Sequence, residues 1–495
     1  MEHFSELVAR INDVINSVVW GVPMLVLIIA TGIYMTVRTR FFQVTKAKFV
    51  NRETIFAIFT KRSVTKTKEK KAITQFQALT TALAATIGTG NIAGVATAIT
   101  VGGPGAVFWM WVSAFFGMMT NFSENVLGIY YRKKNVKGEW SGGAMYYLEN
   151  GLKNRKVQGH FAKPLAIIFS IFCVLASFGI GNMTQVNSIS LALHNSFHIP
   201  TIASGVVLAV LTSLVIIGGI KRIGKVTEKL VPFMAIAYIV GAFVLLIINI
   251  QHVPTVFGWI FEGAFGFDAV AGGISGTLIK QAITMGFKRG VFSNEAGLGS
   301  SVMVHSASDV REPVIQGMWG IFEVFADTII VCTLTAFAIL STGAIASGLT
   351  GVALVSNAFT HGFGPFAGFF VSIAVLLFAF STVLGWSFYG TKAMEYLLGA
   401  KSTIYYKVFF VLFVVVGSTM DLSLAWNISD TFNGLMALPN LIGVLLLSGT
   451  VVGITKNYID RNIKKKSGIA PMLSAYPEIN QEQAEKLAAD AAQQG

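Results

Sequence analysis

The chain has 495 residues, of which 54% are hydrophobic and 12% charged, and its mean hydropathy is +0.66. That balance excludes an ordinary soluble domain and predicts an all-α polytopic protein whose solvent is the lipid bilayer. The net charge of +13 is scattered between apolar runs, which speaks against a nucleic-acid binder; Cys173 and Cys332 both fall inside apolar runs, which speaks against a disulfide framework or metal cluster.

Eleven spans are expected, at roughly 18–37, 73–99, 104–131, 164–193, 200–220, 230–250, 270–308, 313–341, 364–391, 403–420 and 434–455. The charges between them alternate. Arg38 to Lys71 carries eleven Lys and Arg, Arg132 to Lys163 eight, Lys221 to Lys229 four, and the tail from Lys456 six. Arg311, Lys392, Lys401 and Lys407 mark the smaller loops on the same side. The segments 100–103, 194–199, 251–269, 342–363 and 421–433 carry none. This pattern predicts a plasma-membrane protein with its N-terminus outside and its C-terminus in the cytoplasm.

Two spans are interrupted. In the first, Thr86-Ile87-Gly88-Thr89-Gly90-Asn91-Ile92-Ala93-Gly94 places three glycines and an asparagine at mid-span. Open backbone at that depth is tolerated only where it is buried in protein or lines a cavity. In the second, Ser293-Asn294-Glu295-Ala296-Gly297 repeats Asn-x-Ala-Gly. Eleven spans then divide as one plus five plus five, each five beginning with a broken helix. An odd repeat unit inverts its second copy, so a 5+5 inverted repeat is expected. The units are 1–72 (an extra helix and basic loop), 73–250, 270–455, and a tail, 456–495.

Lys280, Lys288 and Arg289 precede the second break and are expected to face water or a partner, lining an outer vestibule. Lys137 to Leu152, rich in Gly and aromatics, reads as an interfacial amphipathic element, either part of an inner gate or an anchor. The tail from Ser467 is polar, with a weak helical pattern near Gln481 to Gln494, and is expected to be mobile.

Open N–H groups at Gly88, Thr89 and Gly90 suit a carboxylate. Asn91 either meets the ligand or caps the half-helix. At the second break, Phe292, Ser293 and Asn294 offer open carbonyls and a closing ring. Glu295 is an intramembrane carboxylate that pairs with Lys288 or Arg289, binds a proton, or shapes the break. Gln185, in a polar run within an apolar span, either reaches the ligand or bonds between helices. Adjacent hydroxyls at Ser381 and Thr382, with carbonyls of the first break, suit sodium; the alternative is that they bond back to their own helix. Trp386 shares a face with Thr382 and either walls the pocket or fills core. Asn121, Glu124, Glu323 and Asp327 are expected to pair between spans, with Glu323 or Asp327 open to a proton path. His305 has no partner close in sequence, and no nucleotide-binding loop is present, so neither an enzyme nor an ATP-driven pump is expected.

The stretches Thr81 to Gly94, Gly103 to Trp111, Gly290 to Gly299 and Thr382 to Gly390 resemble the alanine or glycine:cation symporter family, also called the sodium:alanine symporters. The likeness runs from about the first span to the last. It implies the inverted-repeat fold of the neurotransmitter:sodium symporters and sodium-driven uptake of a small neutral amino acid, alanine or glycine first. Proton coupling, or serine or glutamine as substrate, is the alternative. By the same resemblance, the Thr89 and Gly90 amides hold the substrate carboxylate. Ala84 and Ile87 carbonyls join Ser381 and Thr382 around one sodium ion, and Gln185, Phe292 and Trp386 line the pocket. Sodium is the coupling ion, with no organic cofactor. The first break lacks the aspartate that a monoamine would want. The oligomeric state is left open.

Overall fold

A computed structural model describes residues 2–67, 69–153, 159–266, 274–420 and 422–492. Almost all of its regular structure is helical, as the composition predicts; the exception is a hairpin pairing Lys133–Lys134 with Trp140–Ser141. Among the described residues, five helices are long and apolar enough to cross a membrane, or seven if each of two bent pairs is one span. Two shorter apolar helices, Thr201–Ile216 and Thr403–Gly417, fall where spans are expected. So do two more polar ones, Gly105–Tyr130 and Ile274–Asn294.

The first break is real and sharp. Gln75–Thr86 starts at a capping box, in which Gln77 N–H donates to Thr74 Oγ1 at 3.0 Å and Thr74 N–H to Gln77 Oε1 at 3.2 Å. It ends at Ile87, whose backbone is extended, and the chain resumes as Gly90–Gly102 at an angle of 49°. At the second break, Ile274–Asn294 runs into Glu295, Gly297 and Gly299, all at positive φ (56°, 94° and 70°), followed by the four-residue helix Val302–His305. The expected second half-helix is thus a turn and a single helical coil.

Several expectations need correction. The segments 251–269, 342–363 and 421–433, expected as loops, contain the helices Val253–Phe265, Gly351–Phe363 and the start of Leu422–Leu446. The first of these packs closely on the start of Gly105–Tyr130: a Cβ on Gly105 would lie 2.2 Å from the Gly263 carbonyl carbon. The span expected at 434–455 instead begins at Leu422 and bends by 58° between Leu446 and Ser448. Hydropathy missed its first turns because Asn427, Asp430 and Asn433 are polar. These turns are held from far away in the chain: Trp20 Nε1–H donates to the Asp430 backbone carbonyl at 2.8 Å, Asn16 Nδ2–H to Thr431 Oγ1 at 3.0 Å, and Lys288 and Arg289 pair with the Asp430 carboxylate. Trp20 closes an N-terminal helix, Glu2–Val19, that lies outside the expected first span.

The helical part of the 137–152 segment, Ala144–Leu152, is core rather than interfacial, while Lys137 stays exposed at a hairpin tip. Ala144, Met145, Tyr147, Leu148 and Leu152, all on the helix Ala144–Leu152, are fully buried. The tail is docked, not loose. Ala475 N–H donates to Tyr130 O at 2.9 Å, and the helix Pro477–Ala492 reaches Glu69 through Lys486 (3.0 Å) and Lys134 through Glu482 (3.2 Å). Hydrogen bonding from Lys486 holds the Glu482 carboxyl below the usual range. Partial burial pushes Glu69 up, but Lys486 and the Trp140 indole outweigh it, so Glu69 also sits low. A lowered carboxylate pKa stabilises docking above its unfolded value, near 4.3, and that contribution disappears as pH falls through the folded value. Amides across 477–492 are therefore expected to be protected at neutral pH, and their protection factors, corrected for the intrinsic rate, to fall below about pH 4.

Candidate functional site

Three π-helical turns, Gly90–Gly94, Gly179–Met183 and Phe325–Cys332, interrupt otherwise α-helical segments, and side chains in or beside each of them meet in the middle of the molecule. Such insertions free backbone groups and re-aim side chains, which is why they gather at functional sites.

The residues expected to face an anion lie at the first break. Gly88 N–H donates to Asn91 Oδ1 at 2.9 Å, and Thr89 N–H donates to Gln185 Oε1 at 3.2 Å. Gln185 is aimed by its own Nε2–H, which donates to Ile180 O at 2.9 Å. Thr89 Oγ1 is buried without a hydrogen-bond partner. Gly88 has no room for a side chain: a Cβ would meet Thr382 Oγ1 at 2.4 Å and Gln185 Oε1 at 3.2 Å. Gly90 lies against the second break, 3.3 Å from the Ser293 Cα by the same construction. Gly88, Thr89, Gly90, Gln185, Phe292, Ser293 and Thr382 therefore lie together.

The residues expected to hold a cation also lie together. Ser381 Oγ donates to Ala84 O at 3.1 Å and to Phe378 O at 2.8 Å, while Thr382 Oγ1 donates to Phe378 O at 3.1 Å. Both hydroxyls thus bond back to their own helix, and Ser381 also touches the first break. Ile87, with ψ 91°, turns out of the helix one residue before Gly88. All four residues are buried.

The two asparagines position the breaks. Asn91 uses both ends of its amide there: Oδ1 on Gly88 and Nδ2 on Asp327 Oδ1 at 2.7 Å. Asn294 does likewise, with Nδ2–H on Thr328 Oγ1 at 3.0 Å and Oδ1 accepting from Ala296 N–H at 3.0 Å. Trp386 is fully buried, and its indole N–H donates to Glu295 Oε1 at 2.7 Å; Ser300 Oγ donates to the other oxygen of Glu295 at 2.5 Å. Glu295 therefore shapes the second break, and Lys288 and Arg289 go elsewhere.

Asp327 is the site residue that sequence reasoning left among the structural pairs. Its carboxylate accepts from Asn91, from Ser293 Oγ at 2.8 Å and from Thr328 Oγ1 at 2.8 Å. Its acidity inside an apolar span was the available signal; only the fold places it between the breaks. Similarly, His305 has partners distant in sequence, with Nε2 2.9 Å from Glu323 Oε2 and Nδ1 2.5 Å from Gln316.

Both ends of the site are covered. On one side, Phe292 stacks on Trp426 at 4.9 Å, and the Arg289 guanidinium lies 5.0 Å from the Trp426 ring. Lys288 and Arg289 bind Asp430 at 2.8 and 3.2 Å, closing the position expected to be an open vestibule. On the other side, Arg132 donates to the carbonyls of Ser306 (3.0 Å), Ser308 (2.6 Å) and Val310, and covers Trp140 at 4.1 Å. Ile73 N–H donates to Ala307 O at 3.2 Å, and Asp309 N–H to Ile73 O at 2.8 Å. Asp430→Ala would leave the buried Arg289 guanidinium and the largely buried Lys288 ammonium without their shared anion. A loss of about 3–5 kcal/mol is expected, seen as a lower melting temperature in detergent.

A family model described as the sodium:alanine symporter family matches residues 5–472. The chain is 47% identical over 468 residues to the sodium/alanine symporter AgcS of Methanococcus maripaludis, covering 93% of this chain and 100% of that one. It is 36% identical over 469 residues to the probable sodium/glutamine symporter GlnT of Bacillus subtilis, covering 94% and 93%. Among solved structures, MhsT in complex with L-phenylalanine superposes with a TM-score of 0.54 at 14% identity, over 78% of this chain and 99% of that one. That last likeness concerns the fold alone.

Proposed function

The chain belongs to the sodium:alanine symporter family, and on that premise we propose that sodium and a small neutral amino acid are loaded between its two helix breaks and released by alternating access. It is a membrane symporter that couples sodium to the movement of a small amino acid, and it is not an enzyme. Alanine or glycine is the preferred substrate. The observation that carries the assignment of the site is at Thr89: a backbone N–H held by the Gln185 side chain, beside a buried hydroxyl with no partner, and next to Gly88, which packs against Thr382.

A substrate carboxylate would displace Gln185 Oε1 from the Thr89 N–H and take up Thr89 Oγ1 and the Gly90 N–H. The ammonium group turns toward the second break at Phe292 and Ser293. Phe292 and Trp386 wall the side chain, which favours a small one. Sodium takes the Ser381 and Thr382 hydroxyls with the Ala84 and Ile87 carbonyls. Asp327 adds a carboxylate that has three donors and no Lys or Arg partner among the described residues, so a second positive charge, a cation or a proton, belongs beside it.

Motion follows from the two covers. Parting Phe292 from Trp426 and Arg289 from Asp430 opens the outer path; freeing Ser306 to Val310 from Arg132 opens the inner one. Sodium entering with a zwitterion carries one net charge. A potential of 100 mV then contributes about 2.3 kcal/mol, roughly 50-fold accumulation. The architecture that fits is eleven spans, one extra helix (1–72) followed by inverted repeats at 73–250 and 270–455, with the basic loops and the 456–495 tail in the cytoplasm. The experiment is equilibrium binding of labelled alanine to purified protein in sodium and in choline. Tight binding in sodium alone is expected; equal binding in both would reject sodium loading at this site.

A further inference from the structure

An open basic pocket lies apart from the residues of the two helix breaks, at the end of the molecule that carries the basic loops. It has a volume of about 650 Å³ and is lined by Val136, Lys137, Lys401, Ile404, Tyr405 and Lys407, with Ala400 and Thr403. Three of these side chains are ammonium groups and none is acidic. Lys137 and Lys401 make no ion pair among the described residues. Lys407 is anchored, donating to Ile216 O at 2.9 Å at the end of the helix Thr201–Ile216.

The rim of this pocket is apolar and open. Val136, at the tip of the Lys133–Ser141 hairpin, is 92% exposed, and Tyr405 is 69% exposed. A valine on a hairpin tip between lysines is an unusual thing to leave bare to water. From Ile404 an exposed stripe continues up the apolar helix Thr403–Gly417 through Val408, Leu412 and Val416 at four-residue spacing, one face of the helix. Tyr405 and Phe409 flank it. A cationic pocket thus opens directly onto a lipid-facing stripe.

We propose that this pocket binds the phosphate headgroup of an anionic phospholipid, with an acyl chain along Ile404, Val408 and Leu412. Basic pockets between spans suit such headgroups, and the apolar continuation distinguishes a lipid from a free anion. Occupancy has a structural consequence. The hairpin tip meets the turn that follows the helix Ala367–Leu398. Its base is already tied to that helix, with Ser141 Oγ on Glu395 at 2.7 Å and Asn135 Nδ2 on Glu395 at 3.1 Å. A phosphate held by Lys137 and Lys401 staples the tip as well, and so favours the closed inner side. The inference rests on the membrane setting and is independent of the substrate.

The test is native mass spectrometry with melting curves on the full chain in detergent, with added phosphatidylglycerol, phosphatidylcholine or inorganic phosphate. Phosphatidylglycerol is expected to remain bound and raise the melting temperature, whereas the other two do neither. Lys137→Gln with Lys401→Gln is expected to weaken phosphatidylglycerol binding roughly 30-fold, and the charge-preserving Lys137→Arg with Lys401→Arg to retain it. Equal retention of phosphatidylcholine, an equal shift by phosphate alone, or undiminished phosphatidylglycerol binding by the glutamine variant would each overturn the proposal.

Discussion

Ser381→Ala combined with Thr382→Ala is expected to shift sodium-driven alanine accumulation to far higher sodium concentrations while the protein still folds. Both hydroxyls are buried, and their present bonds are mostly to Phe378 O of their own helix, with one to Ala84 O. Removing them leaves those carbonyls without a few neutral hydrogen bonds, each worth about 1 kcal/mol. For the bound ion the loss is larger. Interactions with a charged partner are worth about 1.5–3 kcal/mol each, so two lost ligands weaken sodium binding by roughly 10²- to 10⁴-fold. The measurement is the sodium concentration for half-maximal uptake. Because the substrate groups at Thr89 and Gln185 are untouched, residual alanine binding at very high sodium is expected. An unchanged sodium dependence would remove both hydroxyls from the ion site.

Gly88→Ala is expected to impair loading less severely, and by a different route. The added methyl would lie 2.4 Å from Thr382 Oγ1, closer than any real contact allows, and 3.2 Å from Gln185 Oε1. One residue thus borders both the sodium hydroxyl and the amide that guards the Thr89 N–H. Overpacking of this kind costs about 1–3 kcal/mol, or 5- to 150-fold if it falls wholly on loading. The variant should lose affinity for sodium and alanine together, in contrast to Ser381→Ala with Thr382→Ala, which acts first on sodium. A Gly88→Ala protein with normal binding of both would mean that this contact has no role in loading.

Much of the site was legible because a membrane penalises irregular backbone and buried charge, so each departure stands out. The Gly-Thr-Gly-Asn interruption and the Asn-Glu-Ala-Gly repeat mark the breaks, and the structure joins them through Gly90 and Ser293. Family membership was legible from the same stretches. What hydropathy could not show was polar residues satisfied at long range. Asp430 looked like part of an outer loop because its partners, Lys288, Arg289 and Trp20, lie far away in sequence. Asp327 looked like one of several buried acids until the fold set it against Asn91 and Ser293. The docked tail was missed because its contacts, Tyr130, Glu69 and Lys134, are on other loops and leave no periodic trace in its own composition.

Uptake of labelled alanine into proteoliposomes tests the central claim most directly, comparing an inward sodium gradient with an inward proton gradient of equal size. The account predicts accumulation above equilibrium with sodium, further increased by an inside-negative potential, and none with protons alone. Accumulation driven by protons alone, with sodium making no difference, would contradict it and would move the coupling charge from Ser381 and Thr382 to Asp327.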